Sequence, residues 1–265
     1  MRTLYALPVV AGCVLVAAGC SDSAGPAQPS LEASVSNFLP SHNELRAALQ
    51  DIVAEQNGGL GFDMWATILD RNGRVVDVVF SGETRGDQWP GSRVISAQKA
   101  NTGNAFSLEG FALSTANLFA AVQPGGSLFG LQESNPVDTD VAYAGPASAY
   151  GRHNDPMIGK RIGGINVFGG GFALYSPNGT LLGGLGVSGD TSCSDHIIGW
   201  KLRHALNLDN VPNGPAGGTD NIIFTVDALD GFEHPECFDA DPDAEGEHVE
   251  IANALPDTHP IGPEE

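Results

Sequence analysis

The stretch Gly163–Trp200, GGINVFGGGFALYSPNGTLLGGLGVSGDTSCSDHIIGW, combines dense glycine with an Asp-His pair at 195 and 196. Glycine at this density lets a chain turn tightly, or lets another group approach its backbone where a side chain would clash. A ligand is therefore expected against Gly170, Gly171, Gly186 and Gly189. The backbone N–H groups of Ser188, Gly189 and Asp190, ahead of a helix carrying Asp195, can form an anion nest that holds a carboxylate or stabilises an oxyanion. With Asp195 or His196 as the base, that arrangement makes a small-molecule acid/base enzyme. Acyl transfer is not indicated, because Gly186-Val187-Ser188-Gly189-Asp190 is not the Gly-x-Ser-x-Gly elbow and no Ser-His-Asp order supports it. In the acidic end of the chain, Asp239, Asp241, Asp243, Glu245, Glu247 and Glu250 fall at the ligand offsets of a calcium loop. Ala244 stands where such a loop needs glycine, and Pro242 intrudes.

The ends of the chain bound where this chemistry takes place. The opening MRTLYALPVVAGCVLVAAGC has one charge at Arg2, an apolar run and small residues before Cys20, which reads as an export signal too short for a comfortable membrane span. Ala17-Ala18-Gly19-Cys20 resembles a bacterial lipobox, which implies cleavage before Cys20 and lipidation of its thiol. Val10-Ala11-Gly12-Cys13 fits the same pattern with a shorter apolar core, and an ordinary secretory signal would change the anchor but not the compartment. Residues 1–19 are thus expected to be a lipoprotein signal peptide and 20–40 a flexible tether. The expected location is the cell envelope, at the outer membrane or in the periplasm of a two-membrane bacterium. Setting Cys13 and Cys20 aside leaves Cys193 and Cys237, and two thiols in an oxidising compartment most simply pair.

The roughly 245 residues that remain are enough for one large domain. Against 12 Lys and Arg stand 32 Asp and Glu, a net charge of −20 that argues against nucleic acid or an anionic lipid surface as an electrostatic partner. Beyond Arg203 there is no Lys or Arg and there are fifteen Asp and Glu, so the tail reads as solvated and loosely ordered or as a cation site.

Positioning these residues requires a small set of elements. Ser41 with Glu44 three residues on gives a capping box, and Leu45, Leu49, Ile52 and Val53 recur at helical spacing, predicting a helix over 42–56. MWATILD and RVVDVVF flank Asn72-Gly73, a hairpin signal that predicts antiparallel strands over 63–70 and 74–80. Val94, Ile95, Ala97, Ala100 and Ala105 place a second helix over 92–106. Residues 108–161 lack clear periodicity and read as a functional insertion or lid, with a short helix at ALSTANLFAAV. A strand-turn-strand around Pro177-Asn178-Gly179, a closing helix over 194–206 and a strand over 222–229 complete the list.

The order of helix, Asp70-Arg71-Asn72-Gly73-Arg74 hairpin, Ser96-Ala97-Gln98-Lys99-Ala100 helix, Gly169-Gly170-Gly171 strand and Gly184-Leu185-Gly186-Val187-Ser188-Gly189 resembles the GlcG/HbpS family of haem-binding proteins over residues 42–208. The resemblance implies an α+β fold: one domain over 41–208, an antiparallel sheet flanked by helices, with a long insertion and an acidic extension over 209–265. It also implies assembly into a homo-oligomer and a haem, or a comparable flat or carboxylated small molecule, as ligand. Haem needs an axial donor and an apolar slot. His42 is the first candidate by resemblance, because a haem-ligating histidine opens the first helix in corrinoid-adenosyltransferase-linked relatives. His196 beside the glycine loop and His153, with Met157, in the insertion are the others. Lys99 and Arg71 are candidates for a carboxylate or propionate contact. A binding protein and an acid/base enzyme both remain open at this level.

Overall fold

The computed structural model describes residues 38–225, 231–238 and 246–262; the signal, Cys13, Cys20 and most of the tether lie outside them. Helix α1, His42–Val53, starts at the expected capping box, in which the Ser41 N–H donates to Glu44 at 2.8 Å and the Ser41 hydroxyl accepts from the Glu44 N–H. It ends three residues short of the expected boundary. Strands β1, Trp65–Asp70, and β2, Val75–Phe80, form the predicted hairpin, with the Arg74 N–H bonded to the Asp70 carboxylate across the turn at 2.9 Å. Helix α2 covers Ser92–Ala105.

The insertion carries no long helix. ALSTANLFAAV folds as two 3-10 turns, Ala116–Leu118 and Ala120–Val122, followed by the one-turn helices α3, Leu131–Ser134, and α4, Thr139–Ala142. Its order comes from long-range contacts: the Asp155 carboxylate and the Ala142 carbonyl hold the buried Arg93 guanidinium, which also stacks on Tyr150 at 3.6 Å. The segment then runs along the outer edge of β2, exchanging backbone bonds between Val75 and residues 159 and 160.

Strands β3, Gly171–Tyr175, and β4, Leu181–Ser188, complete one antiparallel sheet in the order β2-β1-β4-β3. One face buries Ile68, Val79, Leu174, Leu185 and Val187 against Leu45 and Leu49 of α1 and against Ile198 and Leu202 of α5, Ser192–Ala205. The other face receives α2. The fold is therefore α+β, an antiparallel sheet between helices.

Beyond α5, the described parts of the extension pack instead of lying loose. They form a two-stranded parallel pair, β5, Phe224–Thr225, and β6, His234–Pro235, and the helix α6, Glu247–Thr258. The strand expected over 222–229 is only β5 among the described residues. Asp220 and Arg203, both fully buried, form a two-pronged ion pair, and a disulfide joins Cys193 to Cys237.

Candidate functional site

The glycine segment packs closely against protein at Gly170, Gly171, Gly184, Gly186 and Gly189. It faces a helix and its own side chains. A Cβ at Gly186 would lie 1.9 Å from the Ser96 carbonyl oxygen, and one at Gly184 2.2 Å from that of Ala100, so these glycines admit α2 onto the sheet. Gly170 backs onto Asp195 and Gly171 onto the Lys99 carbonyl, which brings the Lys99 ammonium within 2.5 Å of Asp195. Lys99 also donates to the Val187 carbonyl at 3.2 Å.

The nest expected at Ser188–Asp190 is likewise filled from within. The Asp195 carboxylate accepts from the Gly189 N–H at 3.1 Å and from the Asp190 N–H at 2.9 Å. Ser188 is buried at the end of β4. Burial raises the Asp195 carboxyl to about 6 despite the Lys99 ammonium beside it. Asp195 and Lys99 thus form an internal pair, without solvent access for a substrate.

His196 is closed off as well. Its side chain is fully buried, its Nε2 lies 3.1 Å from Asn221 Oδ1 and 3.0 Å from the Ile222 N–H, and desolvation lowers its pKa to about 3. The extension supplies both contacts, which removes His196 from the set of available iron ligands. His153 is exposed on a turn, whereas Met157 is part of the core around Trp65 and Val78. Arg71 holds the Asn104 and Ser107 carbonyls.

His42 is different. At the start of α1 it is half-buried, with Nδ1 2.8 Å from Oδ1 of Asp77 on β2. A carboxylate accepts, so Nδ1 donates to it, and in the neutral ring Nε2 then presents a lone pair. No hydrogen-bond partner for Nε2 is present among the described residues. Asp77 is itself fixed, because the Val78 N–H donates to the same oxygen at 2.7 Å and the side chain is buried. A histidine oriented from behind by a carboxylate is the arrangement in which imidazole ligates a metal. Sequence reasoning named His42 but missed Asp77, whose only signal is a charged residue inside the apolar run RVVDVVF.

An open cleft of about 650 Å³ lies elsewhere, walled by Phe106, Leu113, Leu118, Leu128 and Phe232. Among the described residues no histidine, methionine, tyrosine or cysteine lines it, so its described wall offers no axial donor. Of the calcium-loop residues, Asp239, Asp241, Asp243 and Glu245 lie outside the described residues, and Glu247 and Glu250 stand in the first turn of α6. Among the described residues no group of three or more His, Cys, Asp or Glu side chains is placed to hold a metal ion.

Comparison with known proteins places this architecture. The family model described as "haem degrading protein HbpS-like" matches residues 41–201. The chain belongs to the HbpS-like family. Among solved structures, the HbpS-like chain is similar to the PduOC:heme complex, with 24% identity over 64% of this chain and 96% of that one and a TM-score of 0.44. It is similar to the Klebsiella pneumoniae protein ORFY at 21% identity over 71% and 97% of the two chains, TM-score 0.42. HbpS itself is 15% identical over 71% and 96%, TM-score 0.36. No curated protein matches the chain. The matched span ends inside α5, so the extension that covers His196 lies outside it.

Proposed function

We propose that this HbpS-like chain is an exported, lipid-anchored protein of the cell envelope that binds haem through His42. The observation that carries the reading is the His42–Asp77 pair, which offers an oriented Nε2 on a half-buried side chain. The family description and the haem complex of a structural relative support the choice of ligand. Of His42, His196 and His153, His42 is the one that fits an iron ligand: His196 is sealed by the extension and His153 is exposed on a turn. Bound there, haem would supply an iron centre for ligand exchange or electron transfer. The chain's own part is to fix the tautomer of His42 through Asp77.

The anchor rests on the sequence before Cys20, and an envelope homo-oligomer is part of the same reading. The acid/base enzyme reading loses its site, because Asp195 fills the nest and His196 is buried.

Titration of the mature domain with haem, followed at the Soret band, tests the binding. Saturation at micromolar protein is expected for the native chain, with loss of the ligated spectrum in His42→Ala. No spectral change in the native protein would overturn the reading, and a spectrum retained in His42→Ala would overturn the ligand. Incorporation of labelled palmitate that persists in Cys20→Ala would refute the anchor at that residue.

A further inference from the structure

A second cluster lies at the start of α5, built by the extension. Ser192, the first residue of that helix, is half-buried, and its hydroxyl lies 2.8 Å from His234 Nε2. On the far side of the ring, Nδ1 is 2.6 Å from the Pro235 carbonyl oxygen. A carbonyl only accepts, so Nδ1 carries the proton and Nε2 takes the Ser192 hydroxyl proton in a hydrogen bond. That is the relation of an activated nucleophile to its base, with a third group orienting the base. The Gly169 N–H donates to the same serine oxygen at 2.7 Å, which holds the side chain in place and leaves one lone pair for attack.

Two further features suit a reaction at Ser192. Its own N–H occupies the first position of a fourteen-residue helix, where no intrahelical acceptor exists, and it has no partner among the described residues. An oxyanion formed on a group attached to Ser192 would meet this N–H and the positive end of the helix. The wall is aromatic: Phe119 lies 4.8 Å from the His234 ring, and Phe168, 43% exposed, lies 6.3 Å from Phe119 and next to Gly169 in the chain.

We propose that Ser192 and His234 form an ester-cleaving pair acting on small esters with an apolar acyl group. Ser192 Oγ bonds to the ester carbonyl carbon while its proton passes to His234 Nε2. The carbon–alkoxide bond then breaks, and that proton leaves with the alkoxide as an alcohol. Water attacks the acyl-serine, His234 takes and returns its proton, and the carboxylic acid departs with Ser192 restored. The reaction consumes one ester and one water and needs no other reactant. It is independent of His42 and of haem.

Exposure of the mature chain to a fluorophosphonate probe, with the labelled peptide mapped by mass spectrometry, tests the pair. Label on Ser192 is expected, together with hydrolysis of p-nitrophenyl butyrate that falls to the buffer rate in Ser192→Ala. In His234→Gln, labelling is expected to slow by on the order of 100-fold or more while the circular dichroism spectrum is retained. No label on the native protein, label on another residue, or full hydrolysis by a folded Ser192→Ala would overturn the proposal. Should Ser192→Ala fail to fold, the site of labelling on the native chain decides alone.

Discussion

Whether an imidazole can hold iron depends on what its other nitrogen does. In this chain Asp77 makes that choice for His42. Asp77→Asn keeps the shape but replaces the carboxylate acceptor with an amide that can also donate. Haem affinity should therefore fall by roughly 10–100-fold, less than in His42→Ala, as Soret titrations of the two variants would show. An unchanged affinity in Asp77→Asn would mean that the pair is only structural. The buried histidines make a second prediction at this scale. Desolvation lowers His196 to about 3 and His234 to about 4, so below the ordinary histidine value near 6.5 the folded chain binds fewer protons at these sites than the unfolded chain. Their contribution to stability is present above pH 6.5 and is lost as pH falls towards those values. Asp195, raised to about 6 by burial, runs the other way: its contribution is full below 3.8 and lost as pH rises through 6. Between pH 7 and 4.5 the two histidines, with the larger shifts, outweigh Asp195, so these three groups together lower stability at pH 4.5, which urea unfolding at the two pH values measures. His234→Gln should flatten that slope, and an identical slope would show that His234 is not buried neutral.

At the scale of elements, the glycines of β4 act by admitting α2. A methyl at Gly186 must displace the helix, because its carbon would sit 1.9 Å from the Ser96 carbonyl oxygen. Gly186→Ala should cost about 3 kcal/mol or more in denaturant unfolding. Gly110→Ala, where a Cβ meets nothing within 4 Å and φ is not positive, should change stability by less than about 0.5 kcal/mol. Comparable losses in both would mean that helix–sheet contact is not what Gly186 serves. The same glycines show what local pattern can and cannot convey. The Ser41–Glu44 box, the Asn72-Gly73 turn and the apolar spacing of α1 and α5 are readable because each is set by residues a few positions apart. Glycine density showed that something approaches the backbone. It did not show that the visitor is α2, which lies more than eighty residues earlier in the chain. The partners of His42 and Ser192 are 35 and 42 residues away, so His42 was legible only through resemblance and the Ser192–His234 pair not at all. The insertion lacks periodicity for a related reason: Arg93 and Tyr150, not a repeating apolar stripe, hold it.

At the scale of the whole molecule, the extension completes the domain by covering the outer side of α5. Phe172, Ile197 and Trp200 are buried against Ile222, Ala252 and Leu255, and Trp200 donates to the His259 carbonyl at 2.9 Å. Two fastenings hold this cover, and they act on different states. The disulfide closes a separation of 44 residues and chiefly restricts the unfolded chain, which on chain-entropy grounds corresponds to about 4 kcal/mol. The Arg203–Asp220 pair acts in the folded state, where the guanidinium also lies over Phe172 and Trp200 at 4.6 and 5.2 Å. Removing Asp220 leaves a buried cation without its counter-ion, a loss of about 3–5 kcal/mol. The two changes should therefore separate under limited proteolysis. Cys193→Ser with Cys237→Ser should lower the unfolding midpoint while the folded extension remains protected from protease. Asp220→Ala should open the extension to cleavage even with the disulfide intact, since the bridge anchors Cys237 but not the segment around Asn221. Alkylation of the unreduced, unfolded native protein should leave both cysteines unmodified. Cleavage of the extension in the double serine variant but not in Asp220→Ala would reverse the assignment and make the covalent link the element that holds the cover on α5.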